Sequence, residues 1–169
     1  MNSLRWLSPL VLLSAAACVT FRDTIDDRLA PSVIRVLREP ESVDLVELDP
    51  RAVEQRAPEL RTIAAEQLFH GFEIRAHTSL VDRDARHALV ALVFEGILAS
   101  PGADASGFQP RFGLRAVREG QVVDLLVDYA SGQIDVTGPG KPARVRTSAG
   151  VQARVEALYR AHGLALRDP

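Results

Sequence analysis

The chain predicts an α+β domain: an antiparallel sheet of four to five strands, ending in a three-stranded meander, with two amphipathic helices packed on one face. Three observations predict it. Leu68, Phe72, Ile74, Ala76 and Leu80 alternate with Glu73, Arg75, His77 and Ser79, a period of two that marks a strand over 68–80. Ala85, Leu89, Leu92, Val93, Gly96 and Ile97 recur at helical spacing on one stripe. Glu119-Gly120 and Ser131-Gly132 separate three short apolar runs, the pattern of consecutive hairpins. With no internal repeat, residues 31–169 read as a single domain.

In chain order, Pro31 suits the first position of a short helix that carries Val33, Ile34 and Leu37 inward, and Pro40 stops it. Val43–Leu48 reads as a strand ended by Asp49-Pro50, and residues 51–66 as a variable connection. After the strand at 68–80, Asp82 offers an N-cap and Asp84 a negative charge in the first turn; Ser100-Pro101-Gly102 ends that helix. Pairing Arg118 with Gln121 sets Ala116 against Val123, Leu114 against Leu125 and Phe112 against Val127, all apolar and all on one face. The second turn is expected to place Tyr129 against Ile134 and Val127 against Val136. Gly138–Pro142 is a loop. Thr147 or Ser148 then caps a last helix with the stripe Val151, Val155, Leu158, Tyr159 and His162, ended by Gly163.

The first eighteen residues have the order of an export signal. Arg5 is followed by an apolar run from Trp6 to Leu13, then small residues, then Cys18. A membrane-spanning helix is disfavoured, because that run is too short for about 30 Å of hydrocarbon at about 1.5 Å per residue. Cleavage after Ala17 with plain secretion satisfies the small-residue rule. Cys18 is the sole cysteine, however, so it has no internal disulfide partner. A cysteine directly after small residues resembles the lipobox of bacterial lipoproteins. That resemblance implies a signal peptide at 1–17, a diacylglyceryl anchor on Cys18, a tether over 18–30 and attachment to an envelope membrane. Val19 after the cysteine resembles the outer-membrane sorting signal of enterobacterial lipoproteins.

Composition excludes more than it selects. With 20 basic and 22 acidic residues there is no cationic excess for nucleic acid. Lys141 is the one lysine among many arginines, a bias that a GC-rich genome explains. No phosphate loop, dinucleotide fingerprint, nucleophile elbow or zinc spacing occurs, so no cofactor, no metal and no catalytic residue is expected. His77 and His87 read as exposed, and His162 as a helix-terminal ring. His70 falls on the apolar face of its strand, as a core or edge histidine.

The same register places Arg115 opposite Asp124, Arg111 opposite Asp128, and Asp128 opposite Asp135 on the face away from the helices. A solvated sheet face with cross-strand ion pairs, each worth about 0.2–1 kcal/mol, accounts for this pattern. The alternative is a binding surface of Arg111, Arg115, Asp124 and Asp128, since adjacent aspartates repel unless neutralised.

Phe69-His70-Gly71-Phe72, the string Phe108-Gln109-Pro110-Arg111-Phe112-Gly113-Leu114-Arg115, and Val123-Asp124-Leu125 carry a further resemblance. The segment 69–166 resembles an uncharacterised family of small bacterial secreted proteins and lipoproteins. Members of that family carry histidine at the position of Phe112 and cysteines at those of Gly107, Asp128 and Ser131; this chain has none of these. The resemblance implies no activity. The expected function is therefore a non-enzymatic binding or accessory domain on the membrane, with an envelope protein as a possible partner. The alternatives are a hydrolase-type enzyme using His70 with Glu73 or a sheet aspartate, and an inhibitor of an envelope hydrolase presenting a loop at 100–109.

Overall fold

The computed structural model describes residues 25–56, 62–100, 107–164 and 166. In order these form helix α1 (Pro31–Arg38), strands β1 (Ser42–Ala52), β2 (Leu68–Phe69) and β3 (Phe72–Ser79), helix α2 (Arg83–Leu98), strands β4 (Phe112–Arg118), β5 (Gln121–Asp128), β6 (Gln133–Thr137) and β7 (Ala143–Arg146), and helix α3 (Gln152–Ala161). Short 3-10 turns cover Val53–Gln55, Ala65–Gln67 and Ala149–Val151. The signal peptide at 1–17 and Cys18 lie outside the described residues.

The class is α+β, but the sheet has seven strands, in the order β2-β3-β1-β4-β5-β6-β7, every neighbouring pair antiparallel. Two features hid the extra strands. His70 and Gly71 take φ of 51° and 84°, so the expected strand at 68–80 folds back at a two-residue turn, and Phe69 pairs with Phe72. Ala143–Arg146 pairs with β6, a strand too short to show a period. Strand β1 also runs on through Asp49-Pro50 to Ala52. Its register with β3 shifts between Leu48 and Ala52, so the missing proline N–H falls at an irregularity rather than in a regular ladder.

The expected β4–β5 register is present pair for pair. The β5–β6 register differs by two residues: Val127 faces Ile134, and Asp128 faces Gln133. The Asp128 carboxylate accepts the amides of Ala130 and Ser131 at 3.0 and 3.1 Å, which curls the chain early and makes a four-residue loop. An even shift keeps each side chain on its face. It does move Asp135 from Asp128 to a position opposite Leu126, where Arg144 of β7 pairs with it instead.

Three helices, not two, contribute to the main core. Val33, Ile34, Val36 and Leu37 of α1 are buried there, and α1 packs on β4 and β5. Helix α2 is capped by Asp82, which accepts from the Ala85 amide at 2.8 Å, and packs on β7, α3 and the turn at Ala149–Val151. The Tyr159 hydroxyl of α3 donates to the Gly113 carbonyl at 2.7 Å. Residues 25–30, expected as tether, belong to the domain: Ile25 and Leu29 are buried in its core, and Arg28 donates to the Ile97 carbonyl.

The opposite face is not simply solvated. The β2–β3 hairpin curls over it, and Phe69 joins Val46, Leu48 and Leu126 in a second buried cluster, flanked by Phe72, Ile74 and Phe108. A bulge in the β1–β3 ladder divides the alternating apolar residues of β3. Ala76 packs on the main core, while Ile74 and Phe72 pack on this second cluster.

Candidate binding site

The four residues expected as one surface form two separate sets. Arg115 and Asp124 meet as read from the hairpin register, with Nε and Nη2 donating to the two carboxylate oxygens at 2.8 Å each. That hydrogen bonding, against the opposing effect of burial, raises the Arg115 pKa and keeps it a cation. His70 completes the set. Its Nε2 lies 2.8 Å from Asp124 Oδ2, so with the carboxylate ionised Nε2 is the donor. Phe69 lies beneath both partners, its centroid 5.4 Å from the Arg115 guanidinium carbon and 4.9 Å from the His70 ring, edge to face. His70 is thus an exposed turn residue clasping β5, not a residue of an apolar strand face. Glu73 is bound elsewhere, by Arg56 at 2.6 Å.

Asp128 is buried and serves its turn. Besides Ala130 and Ser131 it accepts the Gln109 amide at 2.8 Å, tying the segment before β4 to the end of β5. The row Arg111–Asp128–Asp135 is broken between its two aspartates, because Asp128 faces Gln133 and Asp135 faces Leu126. Arg111 borders a cavity of about 570 Å³ at the end of the sheet, with Glu47, Asp49, Arg51, Arg75 and Asp128 as its other charged residues and Leu48, Pro50, Phe112 and Tyr129 as apolar wall.

Asp49 anchors this end. Burial pushes its carboxyl pKa up, but the Arg51 amide at 2.9 Å, Arg75 at 2.6 Å and Arg56 at 3.1 Å outweigh it, and the pKa lies below the usual aspartate value. Burial, and then Glu156, hold the Tyr129 hydroxyl well above the ordinary tyrosine range, so the wall it forms is neutral.

Sequence reasoning passed over Glu47, Asp49, Arg51 and Arg75. A signal was present. Val43, Leu45, Glu47, Asp49 and Arg51 share one parity of β1, and the change from apolar to charged marks where helical cover ends. Arg75 carried no such signal, because a bulge redirects it. Among the described residues no three histidine, cysteine, aspartate or glutamate side chains group to hold a metal ion, and no helix is long and apolar enough to cross a membrane. Compared with known proteins, the chain matches no family model, no curated protein and no solved structure.

Proposed function

We propose that the chain is an exported lipoprotein, held on an envelope membrane through Cys18, whose domain is a non-enzymatic binding module that takes its ligand in the cavity at the end of the sheet. The cavity carries this reading. Its volume of about 570 Å³ falls within the range of small-molecule sites, roughly 300–1,000 Å³, and it joins an apolar wall to a few fixed polar groups. The anchor rests on the signal-like order of residues 1–18 alone. Binding is favoured over acid–base chemistry here because a catalytic carboxyl is tuned toward neutrality, whereas Asp49 is driven the other way and Asp128 is engaged by three amides.

Intact mass of the protein extracted from membranes tests the anchor: cleavage before Cys18 with a diacylglyceryl and an acyl chain is expected. An unmodified or uncleaved chain would refute it. Resonance shifts confined to the cavity residues on titration with a fragment library would support the site. Shifts scattered over the surface would remove it.

One observation favours a second reading, a hydrolase-type enzyme: Asp124 orients His70 as it would a general base. Among the described residues no serine or threonine hydroxyl bonds to that ring, and neither His70 nor Asp124 borders the cavity. Hydrolysis of activated esters that vanishes in His70→Gln would favour the enzyme.

A further inference from the structure

The charges of the cavity are sorted by depth. Asp49 and Asp128 are 6% and 4% exposed and their oxygens are already engaged, by Arg56, Arg75 and backbone amides. The cations stand outside them, with the Arg75 and Arg51 side chains 34% and 72% exposed and Arg111 half-buried on the same rim. A guanidinium carries five N–H donors, and the bond to Asp49 at 2.6 Å uses one nitrogen of Arg75. The Asp49 Oδ2 is meanwhile shared between Arg75 and Arg56. Arg56 meets that oxygen at 3.1 Å and is itself matched by Glu73 at 2.6 Å, so the ordering of the cavity rests on which charges are exposed and not on a net excess. Solvent entering the cavity therefore meets donors and positive charge first, over the rings of Phe112 and Tyr129.

From this ordering we infer that the cavity takes a small amphipathic anion, a carboxylate or phosphate monoester with an apolar body, seated on Arg51, Arg75 and Arg111. The inference rests on the cavity being the binding site. Planar guanidinium forks match either oxyanion with paired hydrogen bonds, and the apolar wall receives the body. A cationic ligand would have to draw Asp49 or Asp128 out of bonds already made, or take Glu47, which is 6% exposed and already engaged, and so leave buried groups unpaired.

The test uses the full chain in a non-ionic detergent, with protein-observed NMR titrations of hexanoate, hexyl phosphate, hexylamine and hexanol. Saturable shifts at Arg75, Arg111 and Ala130 are expected with hexanoate or hexyl phosphate, and affinities at least about tenfold weaker with hexylamine and hexanol, the loss of one charge-assisted contact. The stronger of the two anions identifies the headgroup. Arg51→Gln and Arg111→Gln together should weaken the anion by about tenfold or more; if that pair does not fold, Arg51→Gln alone suffices, since its side chain is mostly in solvent. Hexylamine or hexanol binding as tightly as the anions would overturn the ligand class and leave the cavity as the site. Cavity shifts with none of the four probes would overturn both.

Discussion

Gly113 lies against the Phe69 ring of the second cluster, and Gly113→Ala tests that packing. A Cβ at this position would lie 3.0 and 3.1 Å from two ring carbons of Phe69 and 3.2 Å from the Val46 Cβ. Carbon atoms settle at about 3.5–4.0 Å, so the ring must withdraw by about 0.5–1 Å, a gap that forfeits a quarter to a half of each contact it leaves. Phe69 cannot move alone: it is buried, and Arg115 and His70 rest against it. Overpacking typically costs 1–3 kcal/mol, and a ring pinned on this many sides places Gly113→Ala at about 2–3 kcal/mol. That corresponds to roughly 5–10 °C in Tm for a domain of this size. Urea unfolding followed by circular dichroism reads it directly. In a Phe69→Leu background the ring edge is gone, and the same substitution should cost less than about 1 kcal/mol. Equal penalties in the two backgrounds, or a Gly113→Ala variant within about 0.5 kcal/mol of the parent, would refute the reasoning.

Three further outcomes follow from the structure. His70→Ala and Asp124→Ala should show a coupling of about 0.5–1.5 kcal/mol in a double-mutant cycle, small because the His70 side chain is 30% exposed; additive effects would break the clasp. Gly96→Ala should destabilise although alanine favours a helix by about 1 kcal/mol, because its Cβ would sit 2.5 Å from Thr147 Oγ1; a gain in stability would show that the contact relaxes freely. Asp49 has a folded pKa below its unfolded one, so its pairing stabilises above the ordinary carboxylate value and is lost as the pH falls through the folded value. The stability gap between the parent and Asp49→Asn should therefore be full at pH 6 and narrow below about pH 4; a gap that widens with acid would contradict the assignment.

Local pattern carried the helices and the first hairpin into view. Asp82 marks an end by its side-chain cap, Pro31 and Gly163 by their backbones, and the pairs Phe112–Val127, Leu114–Leu125 and Ala116–Val123 leave a single register that buries all six residues. What failed depended on polar groups acting at a distance or on the backbone breaking step. Asp128 reads as a strand-face charge, yet three amides claim it and shift the next strand by two. His70-Gly71 sits within the run read as one strand over 68–80, and the positive φ of both residues turns it into a hairpin. Of the site, Arg115 with Asp124 was legible because cross-strand neighbours follow from register. Asp49 with Arg56 and Arg75 was not, since that cluster joins three segments through a bulge and an irregular turn.

Phe69 explains why four charges of like spacing end in two places. Arg111 and Arg115 lie four residues apart on one parity, as do Asp124 and Asp128, so a flat sheet would set them in one continuous ion-paired patch. The β2–β3 hairpin instead lays Phe69 over Gly113, between the two arginines, and buries Leu126 between the two aspartates. Each aspartate is then left to the partners at its own end. Asp124 gains Arg115 and His70 and fastens the hairpin that separated it from Asp128. Asp128 gains backbone amides and shapes the loop beside the cavity, whose rim carries Arg51, Arg75 and Arg111. A variant that loses the clasp should therefore disturb the outer cluster first and reach the cavity only through Phe69.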